Sequence, residues 1–211
     1  MKSSSVKSLF ITFEGGEGSG KSLQAQSLYR KLCQLSIDAI LVHEPGSTPL
    51  GERLSRLLKR SRVTAISPLS ELLLFNASRA QLVSEVILPS LKSGKIVVCD
   101  RYTDSTLAYQ GYGRGLKLKT VHTANDIATG GLAPNLTVLL DMPVGEGLAR
   151  KRGSDTDRFE SEELAFHERV REGYLAMARQ EPRRFFVVDG RQDKRTISQV
   201  VWKQVSDLLN K

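Results

Sequence analysis

Several absences narrow what this chain of 211 residues can be. No apolar run approaches the roughly 18 residues that a membrane-spanning helix needs, so no such helix is expected. The two cysteines, Cys33 and Cys99, lie far apart without clustered histidines, which indicates neither a disulfide framework nor a zinc site. Residues 1–7 are rich in Lys and Ser and lack the apolar core of a signal peptide. We therefore expect a cytoplasmic protein with a short frayed tail at residues 1–7.

The chain is basic, with 31 Lys and Arg against 23 Asp and Glu and a formal net charge of +8. Such an excess favours an anionic partner, which is either a nucleic acid or a small phosphate compound. Aromatic residues of the kind that stack single-stranded bases are not interleaved with the basic ones. The composition therefore favours small phosphates, with no nucleic acid and no membrane among the partners.

The most informative motif is Gly-Gly-Glu-Gly-Ser-Gly-Lys-Ser at residues 15–22, a full match to the phosphate-loop pattern G-x-x-x-x-G-K-[ST]. Its glycines allow the backbone to wrap around an anion with the N–H groups pointing inward. Lys21 is expected to reach the β- and γ-phosphates of ATP, and the Ser22 hydroxyl to ligate Mg²⁺. The residues predicted to bind ATP are Gly15, Gly16, Glu17, Gly18, Ser19, Gly20, Lys21 and Ser22.

Short apolar runs alternate with helical patterns along the chain. The strand-like runs cover residues 9–13, 37–42, 96–99, 136–140 and 184–188, and the helical patterns cover 21–35, 49–60, 69–92, 103–110, 117–129, 161–180 and 194–209. In the first helix we expect a buried stripe of Leu28, Leu32 and Leu35. This alternation predicts right-handed β-α-β units in one domain, with a parallel sheet covered by helices on both faces.

A charged residue closes each predicted strand, at the edge of the sheet where ligands bind in such folds. The third strand ends in Asp100, and an apolar strand that ends in Asp beside a phosphate loop is typical of a Mg²⁺ site. Glu17 offers a second carboxylate within the loop itself. Whether Asp100, Glu17 or both organise the metal stays open at this point.

The helix predicted over 69–92 carries an arginine on its apolar face. Its buried stripe is expected to hold Leu72, Phe75, Leu82 and Val86, and Arg79 lies within that stripe. An unpaired arginine there would cost several kcal/mol, on the order of 3–5. Either Arg79 is paired inside the protein, or this face lines a pocket in which Phe75 stacks on a base and Arg79 bonds its carbonyl.

A second basic cluster, Arg150, Lys151, Arg152 and Arg158, surrounds the Gly-Ser-Asp-Thr-Asp segment at 153–157. On a mobile flap such residues can close on phosphates and stabilise transition-state charge. A solvated hinge loop is the alternative. An acceptor that is itself a phosphate needs no general base, but it does need cations between two mutually repelling phosphates. The basic residues, with Arg101 after the third strand, therefore favour phosphoryl transfer to a phosphate acceptor.

From about Leu9 to its C-terminus the chain closely resembles the bacterial type of the thymidylate kinase family. The motifs that carry the resemblance are Asp-Arg-Tyr-Thr-Asp-Ser-Thr-Leu-Ala-Tyr-Gln-Gly at 100–111, Phe-Asn-Ala-Ser-Arg at 75–79, Glu-Pro-Gly at 44–46 and Asp-Arg-Phe-Glu at 157–160. The resemblance implies a three-layer P-loop NTPase fold with a five-stranded parallel sheet, a short lid at about 148–160 and a homodimer. It also implies Mg²⁺-dependent transfer of the ATP γ-phosphoryl group to dTMP, which gives dTDP and ADP for dTTP biosynthesis.

The resemblance further implies roles for single residues. Catalysis would fall to Lys21, Arg101, Arg152, Arg158 and Glu17, with Ser22 and Asp100 at the metal, and dTMP would be bound by Glu44, Arg56, Phe75, Arg79, Arg101, Ser105, Thr106, Tyr109 and Gln110. Phe75 would stack on thymine, Arg79 would bond its O4, and Thr106 and Gln110 would read the base edge. Tyr109 would crowd the 2′ position.

The chain departs from the family at one position. The family's phosphate-binding arginine, four residues after Gly51, is here Ser55, so Arg56 is expected to replace it, with Arg53 as the alternative. Gly18 leaves the phosphate loop without an arginine, as in the bacterial type, so the lid arginines would supply that charge. Two other functions remain open: another pyrimidine nucleoside monophosphate kinase, or a non-catalytic nucleotide switch or nucleic-acid-binding ATPase.

Overall fold

Five parallel strands form one sheet in the computed structural model, which describes residues 8–60, 65–151 and 158–210. The strands are β1 (Phe10–Glu14), β2 (Ala39–His43), β3 (Ile96–Asp100), β4 (Leu136–Asp141) and β5 (Phe185–Asp189), in the order β2-β3-β1-β4-β5. The predicted fold class is confirmed. Each strand ends one residue later than predicted, because the charged residue that closes it still pairs in the ladder, as His43 does with Asp100.

Helices cover both faces of this sheet. They are α1 (Lys21–Gln34), α2 (Pro49–Arg60), α3 (Pro68–Leu82), α4 (Leu88–Lys92), α5 (Thr103–Thr106), α6 (Leu118–Thr129), α7 (Val144–Lys151), α8 (Leu164–Gln180) and α9 (Lys194–Leu209). Two π-helical segments, Val83–Ile87 and Leu107–Gly113, continue α3 and α5. The sequence analysis missed α7, whose two glycines weaken its helical pattern. No helix in the described ranges is both long and apolar enough to cross a bilayer.

The central strands bury side chains on both faces, as a parallel sheet requires. On one face, Ile11 of β1 and Val98 of β3 pack in a cluster with residues of α1 and α9. On the other face, Phe10 and Val97 pack with Leu82 and the π-helical turn that follows α3. Successive residues of these strands therefore pack into two hydrophobic clusters, one on each face of the sheet. The carboxyl ends of the strands lie outside both clusters.

The first predicted helical stripe is wrong at one residue, and the second at two. Leu35 follows the end of α1 and is 46% exposed, whereas Ala25, Leu28 and Leu32 are buried. In the second stripe, Phe75 and Val86 are only partly buried. A π-helical turn holds more residues than an α-helical turn, so it rotates the buried face onto Val83 and Ile87.

The contrast between Leu32 and Leu35 gives a matched test of the core. Leu32 is fully buried between α1 and the sheet, so we expect Leu32→Ala to lower the free energy of unfolding by about 2–5 kcal/mol. Leu35→Ala makes the same chemical change at an exposed site three residues later, and should change the free energy of unfolding by about 0.5 kcal/mol or less. Denaturant unfolding of both variants measures this. Similar losses in the two variants would contradict the placement of the core.

Candidate active site

A cavity of about 470 Å³ opens where β1, β2 and β3 end. Most of the predicted site residues line it: Glu17, Gly18, Gly20, Lys21, Ser22, Glu44, Phe75, Asp100, Arg101, Ser105, Thr106, Tyr109 and Gln110. His43, Lys59, Arg150, Lys151, Phe159 and Glu160 also line it. Phosphate-loop residues and an aromatic, amide-lined region thus share one space.

The phosphate loop lies directly against α7. Gly18 has a φ of 68°, and a Cβ added there would come within 1.9 Å of the Gly147 carbonyl oxygen. A Cβ at Gly147 would in turn lie 2.3 Å from the Glu17 carbonyl oxygen. An arginine at position 18 therefore has no room beside α7, which fits a loop without an arginine of its own.

Lys21 is buried at the start of α1, and its Nζ donates to the Gly16 carbonyl at 2.9 Å. Burial, together with the nearby positive charge of Arg101, lowers the pKa of Lys21 to about 8, although Glu17 acts against this. The lysine is thus held across the mouth of the loop with its charge only partly compensated. An anion bound in the loop would favour its charged form.

The backbone at Arg101 adopts a strained conformation directly after β3. Its φ is 71°, in the left-handed region, which costs on the order of 1–3 kcal/mol for a residue with a Cβ. Hydrogen bonds on each side hold it there: the Arg101 N–H donates to the Phe13 carbonyl at 3.0 Å, and the Tyr102 N–H donates to Glu14 Oε1 at 2.7 Å. This conformation turns the Arg101 side chain into the cavity.

The Arg101 guanidinium lies between the phosphate loop and the residues after β3. Its Nη2 donates to Glu17 Oε1 at 2.6 Å and to the Tyr109 hydroxyl at 3.1 Å. Its Nη1 donates to Ser105 Oγ at 3.2 Å. Burial alone would raise the pKa of Glu17, but Lys21 and Arg101 outweigh it and hold that pKa well below its usual value. Glu17 is therefore ionised, paired with Arg101 and stabilised by the nearby charge of Lys21.

Glu14 is a site residue that the sequence analysis did not single out. It is fully buried, and its Oε2 accepts from the Ser105 hydroxyl at 2.7 Å and from the Tyr174 hydroxyl at 2.8 Å. Burial, with the nearby charge of Asp104, raises the pKa of Glu14 to about 7 against the opposing effect of Arg101. The sequence feature that could have indicated Glu14 is a carboxylate at the end of a largely apolar strand, directly before the phosphate loop.

Asp100 has the properties that a metal ligand needs. Its Oδ1 is buried and, among the described residues, has no hydrogen-bond partner. It lines the same cavity as Ser22. The described residues contain no group of three or more His, Cys, Asp or Glu that could hold a metal ion. A Mg²⁺ ion would therefore depend on phosphate oxygens in addition to Ser22 and Asp100, which is the usual arrangement beside a phosphate loop.

Arg79 is paired inside the protein, one of the two alternatives that its position in the apolar stripe allowed. It is 1% exposed, and its Nη2 lies 2.7 Å from Glu44 Oε2. Its Nη1 donates to Thr106 Oγ1 at 3.2 Å and to Asn125 Oδ1 at 2.9 Å. Arg79 is not among the residues that line the cavity, whereas Thr106 and Glu44 are. Its predicted contact with the base stays a prediction.

Among the described residues, the predicted cations Arg56 and Arg158 do not line the cavity, whereas Arg150 and Lys151 of the second basic cluster do. Arg56 is exposed on α2, and the α2 cation that lines the cavity is Lys59 instead. Arg158 forms an ion pair with the buried Glu71, and its Nε donates to the Leu58 carbonyl at 3.1 Å. Arg152 and the rest of the predicted lid's central segment, residues 152–157, lie outside the described residues. Sequence reasoning also missed Glu71, whose role depends on contacts with distant residues.

Comparisons with known proteins agree with this geometry. A family model described as thymidylate kinase matches residues 13–201. The thymidylate kinase of Dehalococcoides mccartyi strain 195 is 54% identical over 202 residues, which cover 96% of this chain and 98% of that protein. That of Syntrophotalea carbinolica is 46% identical over 96% of this chain and 97% of that protein. A crystal structure of thymidylate kinase from Ehrlichia chaffeensis, 34% identical, superposes with a TM-score of 0.77 over 94% of this chain and 98% of that one. The chain belongs to the thymidylate kinase family.

Proposed function

We propose that this protein transfers the γ-phosphoryl group of ATP to dTMP, giving dTDP and ADP, with Mg²⁺ as the metal. The observation that carries the proposal is one cavity that joins the phosphate loop to the pocket of Phe75, Thr106 and Gln110, with Arg101 between them. Membership of the thymidylate kinase family supports it.

The donor side of the cavity is suited to ATP. Backbone N–H groups of residues 15–22 would hold the phosphates, and Lys21 would bind the β- and γ-phosphate oxygens. Ser22 and Asp100 would hold Mg²⁺, which when bound neutralises charge on the transferring group. A bound phosphate would stabilise the charged form of Lys21, because it replaces the solvation that burial removes from the ammonium group.

The acceptor side needs no general base. A nucleoside monophosphate has a second pKa near 6, or about one unit below neutral pH, so it is already an anionic nucleophile. The barrier is the repulsion between two anionic phosphates, and Arg101 stands at their meeting point with Lys21 close by. Glu17 holds Arg101 in place until the acceptor phosphate competes for its N–H groups.

The remaining roles follow the family. Phe75 would stack on thymine, Thr106 and Gln110 would read its edge beside Ser105, and Tyr109 would crowd the 2′ position. Arg79 would act through Glu44 and Thr106, both of which line the cavity.

We assign the lid charges to Arg152 and Arg158. Arg158 must exchange its pair with Glu71 for a phosphate before it can act. Arg56 is expected to bind the acceptor phosphate, but its side chain is exposed on α2 and Lys59 lines the cavity instead. Arg56 could take this role only if α2 turned its side chain toward the cavity.

The protein would work in the cytoplasm, where ATP and dTMP are available, without nucleic acid as a partner. Recovery of the activity in a membrane fraction would contradict this location.

The acceptor preference tests the proposed function directly. Steady-state rates with ATP and Mg²⁺ should give the highest kcat/KM for dTMP among dTMP, dUMP, dCMP, UMP, dAMP and dGMP. Stacking on Phe75 and the edge contacts of Gln110 favour a pyrimidine, and the position of Tyr109 favours a deoxyribose. A higher kcat/KM for another monophosphate would contradict the assignment of dTMP as the acceptor. Salt-sensitive binding of single-stranded DNA without transfer to dTMP would favour a nucleic-acid-binding ATPase instead.

Lys21→Ala tests the phosphate loop. It removes a buried cation that acts on charge developing in the transition state, so kcat should fall by about 10²–10³ or more. The melting temperature should change little or rise, because a poorly solvated charge is lost. Lys31→Ala, on the same helix but beside Trp202, is the matched control and should keep the parent kcat. A Lys21→Ala enzyme with unchanged kcat would rule out this role.

We also propose a homodimer formed through α3 and α6. These two helices pack against each other and expose large apolar side chains, Leu69 and Leu73 on α3 and Ile127 on α6. Light scattering should give twice the chain mass, and Leu73→Asp together with Ile127→Asp should give a monomer. Leu164→Asp, at an equally exposed site on α8, should leave the dimer intact. A monomeric parent protein would refute the proposal.

A further inference from the structure

Glu71 is a buried carboxylate directly behind the wall of the cavity. It lies on α3, one turn before Phe75, and is fully buried. It accepts from Gln110 Nε2 at 2.8 Å and from Arg114 Nε at 3.2 Å, both through Oε1. Its Oε2 accepts from Arg114 Nη2 at 3.3 Å and from Arg158. Each oxygen therefore faces N–H donors, and cationic groups supply donors to both.

This arrangement fixes the side-chain amide of Gln110. A carboxylate ion-paired with Arg114 offers only acceptors, whether or not Arg158 stays bound, so the Gln110 atom that faces it must be the NH₂ group. The other branch of the planar amide, Oε1, then points away from Glu71. No donor to Gln110 Oε1 is found among the described residues, and Gln110 lines the cavity. Gln110 therefore presents a hydrogen-bond acceptor, and not a donor, to the cavity.

We propose that Glu71 is a positioning residue that sets base specificity through Gln110. With its amide fixed, Gln110 accepts the N3–H of a thymine or uracil ring and rejects cytosine, whose N3 is itself an acceptor. This inference rests on the proposed function, in which Gln110 reads the edge of the base. Glu71 itself touches no substrate.

The selectivity arises because the amide cannot turn over. A free glutamine would present NH₂ to cytosine and its carbonyl to thymine, and so would discriminate little between them. Next to Glu71, turning the amide would bring two acceptor oxygens to the 2.8 Å now spanned by a hydrogen bond, and would lose a bond to a charged group. When cytosine binds, either its N3 faces the Gln110 Oε1, which is also an acceptor, or the Gln110 amide turns over and loses its hydrogen bond to Glu71.

Glu71→Gln tests the proposal, because the side-chain amide that it introduces on α3 can turn to suit either orientation of Gln110. We expect the ratio of kcat/KM for dTMP to that for dCMP to fall about tenfold or more. The ratio for dTMP to dUMP should not change, since uracil has the same N3–H and lacks only the 5-methyl group. A general loss of structure would not move the first ratio and spare the second.

Glu162→Gln is the matched control. Glu162 pairs with the same Arg114 at 2.6 Å but is not a partner of Gln110, so this variant should keep the parent ratio of dTMP to dCMP. An unchanged ratio in folded Glu71→Gln would overturn the inference while leaving the proposed function intact. A parent enzyme that does not phosphorylate dTMP would instead overturn the proposed function.

If Glu71→Gln does not fold, the unaltered protein supplies the test. Neutron diffraction of crystals grown in D₂O locates the two deuterons of the Gln110 amide. Deuterons on the atom that faces Glu71 support the proposal, and deuterons that point into the cavity overturn it.

Discussion

The hydrogen bonding of the partly buried Arg101 guanidinium is the interaction on which the rest of the site depends. It lies between Glu17 of the phosphate loop and the hydroxyls of Ser105 and Tyr109, so one cation joins the phosphate loop to the residues that follow β3. Its strained backbone is held from below by β1, through the Phe13 carbonyl and the Glu14 carboxylate. In the proposed reaction, a partly buried positive charge would thus already lie where the two phosphates meet, which is the arrangement that electrostatic stabilisation of the transition state needs.

Two buried carboxylates organise the site without lining it. Glu14 directs the hydroxyls of Ser105 and Tyr174 toward itself, which leaves their oxygens to accept from Arg101. Glu71 accepts from the side-chain amide of Gln110 in the same way. A carboxylate in its ionised form can only accept, so it fixes which way a neighbouring neutral polar group faces, and we propose that the orientation of Gln110 governs which base the cavity accepts.

Much of the fold and part of the site could be predicted from the sequence. Local patterns were sufficient for the five strands and for the loop at 15–22, since strand alternation and loop glycines are short-range features. They were not sufficient for α7, where Gly145 and Gly147 obscure a helix that is stabilised by packing on the loop. Glu71 and the pairing of Arg79 with Glu44 also escaped, because each depends on residues 35 or more positions away.

The most direct test of the account is a crystal structure with dTMP and a non-hydrolysable ATP analogue bound together. We predict that the dTMP phosphate lies within hydrogen-bond distance of the Arg101 guanidinium and faces a γ-phosphate held by Lys21, with thymine stacked on Phe75. A dTMP phosphate bound away from Arg101, with Arg101 still paired only to Glu17, would contradict it.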